Sequence, residues 1–176
     1  MTTSPSATAV PAGAPTVTIR RAVPADAATV QTLVLEIAAH EGDTEHVRVT
    51  AERWQQLLER DDVVVLLAER DGRALGYTSA VRRLHLWTGG DVLAVDDVYV
   101  RPGERSNGLG RRLLTAMAAV AEPEGLLLTW GVEPENTGAQ RFYAGLGATL
   151  RDKVIAGWAP AAYRPLVAAG TDEVAR

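Results

Sequence analysis

The stretch Val98-Tyr99-Val100-Arg101-Pro102-Gly103-Glu104-Arg105-Ser106-Asn107-Gly108-Leu109-Gly110-Arg111-Arg112 constrains the fold more than any other part of the chain. An apolar strand ends, a turn with spaced glycines follows, and a helix begins. Glycine admits backbone conformations closed to other residues and lets N–H groups approach a ligand closely. A helix N-terminus adds unsatisfied donors and the positive end of its dipole. Together these features predict a phosphate cradle, to which Arg105 and Arg111 can add charge. A P-loop requires Lys followed by Ser or Thr after its second Gly, but Leu109-Gly110 stands there. A dinucleotide fingerprint requires a third Gly where Leu113 stands.

The flanking sequence predicts one mixed α/β domain over residues 16–170, between a flexible N-terminal tail (1–15) and a C-terminal tail (171–176). Val17 to Ile19 reads as a short strand. Pro24 and Asp26 open a helix with Val30, Leu33, Val34 and Ile37 on one stripe. Thr50 suits the cap of a second helix with Trp54, Leu57 and Leu58 turned inward. Val63 to Ala68 is continuously apolar and β-branched, which predicts a strand covered on both faces. Asp71-Gly72 and Thr88 to Asp91 mark turns, so Ala74–Leu86 and Val92–Val100 follow as hairpin strands. A helix from Gly108 carries Leu109, Leu113, Leu114, Met117 and Val120. Then come a strand (Leu126–Val132), a helix (Asn136–Leu146), a strand (Ala148–Ile155) and a last short strand (Tyr163–Val167).

Charge narrows the partners. There are 18 Lys+Arg against 22 Asp+Glu, a net charge of −4. That balance excludes a basic nucleic-acid groove and tilts toward cationic ligands. The chain has no cysteine, which removes disulfides, thiolate metal sites and a cysteine acyl-enzyme. The first residues read as no secretory signal, and no apolar run spans a membrane, so a cytoplasmic protein is expected. His40, Glu41, Asp43, Glu45 and His46 match no common metal spacing and read as a solvated loop; no metal is expected. His85 reads as structural, and Trp54 and Trp130 read as core.

A second motif follows the first: Asn136-Thr137-Gly138-Ala139-Gln140-Arg141-Phe142-Tyr143-Ala144-Gly145-Leu146-Gly147. With Arg105, Gly108 and Gly110 in the earlier turn, this order resembles the two acyl-CoA motifs of the GNAT superfamily of N-acetyltransferases. Trp87-Thr88-Gly89 and Val95-Asp96-Asp97-Val98-Tyr99-Val100 are similar to the diamine (spermidine/spermine) branch of that superfamily. So is His40-Glu41 followed by Val49-Thr50, although His40 replaces an aromatic residue. Ser106 stands where the family commonly has Gly.

The resemblance implies a GNAT fold, with a mixed sheet of about 6–7 strands flanked by about 4 helices. It implies acetyl-CoA as co-substrate and direct attack by a small-molecule primary amine. A protein, peptide or aminoglycoside acceptor is the alternative, and a non-catalytic acyl-CoA-binding regulatory module is the alternative of another class. Many members form homodimers, so a homodimer is the expectation the resemblance carries.

An alkyl amine arrives protonated, with a pKa of roughly 10, so its proton must be removed. The resemblance assigns the base to Asp96 and the acid that protonates the departing thiolate to Tyr143. It assigns cofactor contacts to Val98, Tyr99 and Val100 of the strand, to Arg105, Ser106, Asn107, Gly108, Leu109, Gly110 and Arg111 of the turn, and to Asn136. Asn136 serves equally as a plain helix cap. Acceptor contacts fall to Asp97, Glu41 and Trp87. Adjacent strand residues face opposite ways, so Asp96 and Asp97 can share a site only across a β-bulge, which the resemblance also implies.

Overall fold

The computed structural model describes residues 16–170; the two expected tails lie outside the described residues. The chain divides into two compact units, residues 1–131 and 132–176.

The first unit is built on a five-stranded sheet in the order β1-β2-β3-β4-β5. The strands are β1 (Thr18–Arg21), β2 (Val63–Arg70), β3 (Arg73–His85), β4 (Gly90–Val100) and β5 (Leu127–Thr129). The first four form an antiparallel meander, and β5 joins β4 in parallel over Val92–Ala94 only. Two helices, α1 (Ala27–Glu41) and α2 (Ala51–Leu58), precede β2, and α3 (Leu109–Ala121) links β4 to β5.

Burial explains why β2 is continuously apolar from Val63 to Ala68. Val63, Val65 and Leu67 join Val30 and Leu33 of α1 and Leu58 of α2 in one cluster. Val64 and Leu66 turn the other way, toward Met117 and Ala121 of α3. Alternation along a strand therefore supplies two cores, one on each sheet face. Thr50 accepts a hydrogen bond from Arg53 N–H and caps α2 as the sequence suggests. Val120 of α3 departs from its expected stripe and is exposed.

The second unit holds α4 (Thr137–Ala144) and α5 (Pro160–Gly170). Here two strand expectations fail. Residues 148–159 form neither strand nor helix. The second unit contains no strand among its described residues, and the charged triplet Arg151-Asp152-Lys153 interrupts the apolar pattern of the expected one. Tyr163–Val167 belongs to α5, because Pro160 suits the first turn of a helix and the flanking alanines favour one. Among the described residues the sheet thus has five strands, slightly fewer than expected, and five α-helices accompany it.

Gly76 sits where β3 and β4 come closest. A Cβ there would lie 2.3 Å from the Tyr99 carbonyl oxygen and 3.0 Å from Val100 Cα. Both obstacles are backbone, so relief requires the strands to part. Gly76→Ala is expected to lower stability by about 2 kcal/mol, within the usual range for overpacking. Thermal unfolding should show a fall of roughly 4–8 °C for a chain of this size.

Candidate active site

The site grows from one irregularity in β4. Ser79 pairs with Asp97 and Ala80 pairs with Val95, so Asp96 is an extra residue with no partner on β3. This is the bulge the two acids require. Before it, Leu93 and Val95 face α3; after it, Asp97 and Tyr99 face the α1 side. The bulge inverts the strand's facing and brings both carboxylates to one neighbourhood.

Asp97 is held tightly. Its Oδ2 accepts from the Tyr77 hydroxyl at 2.9 Å and from Ser79 Oγ at 3.1 Å. Its main-chain carbonyl accepts from Thr78 Oγ1 at 2.8 Å. Tyr77, Thr78 and Ser79 are all buried. The Tyr77 phenol is pushed far up, first by burial and then by the charge and hydrogen bond of Asp97, with Glu41 and Asp96 adding to it. It therefore stays a proton donor at any ordinary pH. The same influence places Glu41, at the C-terminal end of α1, within electrostatic reach of the pair.

Asp96 is exposed and lies free of such clamps. Desolvation by surrounding protein, then repulsion by Asp97, raises its pKa above the ordinary 3.8. Among the described residues, Glu41, Asp96 and Asp97 form no ion pair.

Beyond the bulge, β4 runs alone on its far side, because pairing with β5 ends at Ala94. Arg101 N–H donates to Leu75 C=O. Antiparallel alternation then turns the main chain of Tyr99 and Asp97 toward β3, and that of Val98 and Val100 toward the open edge. The free donors of this edge belong to Val98 and Val100, whereas Tyr99 is committed to β3. Its ring is buried against Tyr77, with centroids 6.4 Å apart.

The open edge leads into the Gly-rich turn. Arg101 anchors it by two bonds to Glu36 (2.6 and 2.8 Å) and one to Ala74 C=O (2.6 Å). Arg70 pairs with Glu104. Ser106 and Gly108 take left-handed conformations, with φ of 68° and 72°. Gly108 is the N-cap of α3 without any side-chain cap, and the first helical bond there runs from Arg112 N–H to Gly108 C=O. The main-chain donors of Leu109 and Gly110 thus open the helix unused by it. These residues fit a phosphate-bearing cofactor arm. Arg105 has another engagement: its Nε donates to Val100 C=O at 2.9 Å, and its Nη1 lies 3.4 Å from His40 Nε2.

Comparison with known proteins decides the family. The Acetyltransferase (GNAT) family matches residues 30–148, more than half of the chain. The chain belongs to the GNAT acetyltransferase family. An uncharacterised N-acetyltransferase of Mycobacterium tuberculosis is 32% identical over 102 residues, covering 56% of this chain and 61% of that one. The chain thus spans about three fifths of the length of that curated relative. Among solved structures, an aminoglycoside acetyltransferase from an uncultured soil metagenomic sample, in complex with trehalose, superposes with a TM-score of 0.72 at 17% identity, covering 81% of this chain and 95% of that chain. The aminoglycoside N-acetyltransferase AAC(6')-Iy in complex with CoA gives 0.71 at 22%, covering 86% and 99%. These two likenesses establish a shared fold.

In this GNAT chain the second motif lies in the other unit. Asn136 caps α4, its Oδ1 accepting from Ala139 N–H at 3.0 Å. Only its Nδ2 is left over for a ligand. Tyr143 is half-buried, packs against Phe142 with centroids 5.3 Å apart, and has its phenol raised by burial. It is therefore protonated at neutral pH.

Trp87 does not join the acids. It stands on the tip of the β3–β4 hairpin, 96% exposed. From Asp97 back to Gly90 the strand extends roughly 23 Å at about 3.3 Å per residue, which removes Trp87 from the neighbourhood of Asp97. Its ring instead meets His85 edge-on at 6.5 Å. Sequence reading missed Gly76, Tyr77, Thr78 and Ser79. The available signal was three consecutive hydroxyl residues between the apolar pairs Ala74-Leu75 and Ala80-Val81.

Two predictions follow from this geometry. A left-handed conformation costs an ordinary residue about 1–2 kcal/mol, while Gly adds about 0.5–1 kcal/mol of chain entropy. Ser106→Gly is therefore expected to stabilise by about 1 kcal/mol, read as roughly 2–4 °C in thermal unfolding. For Asp96 the folded pKa lies above its unfolded value, so the folded state binds its proton more readily. Ionisation then costs stability as pH rises from 3.8 through the raised value. Asp96→Asn should raise Tm at pH 7 and lose that advantage near pH 3, as thermal melts across this range would show.

Proposed function

We propose that this chain is an N-acetyltransferase that moves acetyl from acetyl-CoA to a primary amine of a small polycationic molecule. The observation that carries it is the bulge at Asp96, which places two carboxylates where β4 parts from β5 and leads into an uncapped helix N-terminus.

Acetyl-CoA supplies an activated acetyl thioester. The turn from Ser106 to Arg111 fits its pyrophosphate, through main-chain donors and the dipole of α3. The open-edge main chain of Val98 and Val100 fits its amide-bearing arm as an added strand would pair. An N–H of that edge also suits the thioester oxygen as it gains charge. Asn136 contributes through the amide left over from its capping bond.

The acceptor enters as an ammonium ion. Asp97 holds it with a carboxylate fixed by the β3 hydroxyls. Asp96 takes its proton, directly or through water, and its raised pKa narrows the gap to an amine of roughly 10. Tyr143, protonated at neutral pH, gives a proton to the departing thiolate. Each role uses the form its residue already holds, except that the amine must lose its charge first.

The acceptor class follows from charge. Asp97 bonds the Tyr77 hydroxyl and Glu41 and Asp96 lie within electrostatic reach of it, and a molecule with two or more ammonium groups exploits three acids better than a monoamine does. Diamines and polyamines fit this description. Aminoglycosides fit it too, and the fold likeness to two aminoglycoside acetyltransferases favours them as the second reading.

The test is free-CoA release with acetyl-CoA and a panel of diamines, polyamines, aminoglycosides and peptides. Turnover is expected with polycationic small molecules, and Asp96→Asn should lower kcat/KM by about 10²–10⁴-fold, the usual worth of a general base. Tyr143→Phe should lose turnover while still binding acetyl-CoA. Turnover with peptides alone would overturn the acceptor class. Acetyl-CoA binding with no turnover on any amine would replace the enzyme with a binding module.

A further inference from the structure

Three consecutive β3 hydroxyls converge on one residue across the sheet. Ser79 is directly opposite Asp97, and Tyr77 is its diagonal neighbour on the same face. Both donate to the same carboxylate oxygen, Oδ2. Thr78, between them, points its side chain to the other face and bonds the Asp97 main-chain carbonyl instead. Tyr77 and Thr78 are fully buried and Ser79 is nearly so.

Packing alone does not call for these hydroxyls. Phe would fill the Tyr77 space, Val that of Thr78 and Ala most of that of Ser79. Each polar group is costly to bury unless bonded. The bulge decides which acid these hydroxyls meet: it sets Asp97 opposite Ser79, where an unbroken register would set Asp96. The hydroxyls and the bulge therefore form one device.

We propose that Tyr77, Thr78 and Ser79 are positioning residues that clamp Asp97 and so set affinity for the acceptor amine. This rests on the reading of Asp97 as the ammonium ligand. With Oδ2 occupied twice and the carbonyl fixed, the carboxylate has one orientation, and Oδ1 is the oxygen presented to a cation. The clamp acts on binding of the acceptor rather than on acyl transfer, because Asp96, which takes the proton, is not among its partners.

The experiment is steady-state kinetics on the full chain with the best amine of the panel, alongside thermal melts. Tyr77→Phe and Ser79→Ala are each expected to raise KM for the amine about tenfold, the scale of one hydrogen bond to a charged group. The same variants should hold kcat within about threefold and leave KM for acetyl-CoA unchanged. Thr78→Val should raise amine KM, and Thr78→Ser, which keeps the hydroxyl, should restore it. Unchanged amine KM in both Tyr77→Phe and Ser79→Ala overturns the clamp. So does a fall in kcat that tracks a fall in Tm, since that marks a purely structural role. Asp97→Asn separates the two levels. If it leaves amine KM intact, the ligand reading of Asp97 fails; if it raises KM while the hydroxyl variants do not, only the clamp fails.

Discussion

One extra residue in β4 governs this structure. A β-strand presents alternate side chains to opposite faces, and an insertion of one residue reverses every assignment downstream. Upstream of Asp96, β4 gives Leu93 and Val95 to the α3 core. Downstream, Tyr99 and Asp97 turn to the α1 face, and Tyr99 enters the other core. Pairing with β5 also ends at Ala94, just before the bulge. A bulged strand bends and twists more strongly, so the change of facing and the parting of β4 from β5 have one physical origin. The open main chain and the acidic pair are consequences of the same residue.

The arginines around this region are used to hold backbone. Arg101 ties the end of β4 to α1 through Glu36 and to β3 through the Ala74 carbonyl. Its proximity holds the Glu36 carboxyl below the usual carboxylate range. Arg70 holds Glu104 in the turn. Arg105 closes on Val100 C=O. Cations pinned in this way fix the turn's shape without cancelling Glu41, Asp96 and Asp97. The result is a turn held in shape by arginines whose ion pairs involve none of Glu41, Asp96 and Asp97.

Where local chemistry decides, the sequence was informative. The β2 run, the Thr50 cap and the Gly-spaced turn into α3 each depend on a few adjacent residues, and all formed as expected. Asp96 and Asp97 were visible as a pair because two acids before an apolar strand end are unusual. What lies across the sheet was not visible. That Tyr77, Thr78 and Ser79 meet Asp97 depends on a register that a one-residue slip would destroy. Trp87 illustrates the converse: near the acids in sequence, it is carried away by an extended hairpin. The C-terminal residues failed for another reason. Arg151-Asp152-Lys153 breaks the first expected strand, and over residues 163–167 helix propensity with Pro160 at the first turn prevailed.

On the roles proposed above, the two acids differ in ways that suit them to different tasks. A group that binds an ammonium ion gains from being fixed, since ordering it beforehand removes that cost from binding. Buried hydroxyls on one oxygen provide this for Asp97. A group that accepts a proton must release it to solvent before the next turnover, so it gains from exposure. It also gains from a pKa lifted toward that of its substrate. Asp96 has both properties, because the bulge pushes it out of the ladder while leaving Asp97 close enough to repel its charge. Reversing the two roles would place the titrating group behind two hydroxyls and the binding group on an unanchored backbone. On the proposed roles, position relative to the bulge, not residue type, divides the work between two identical side chains.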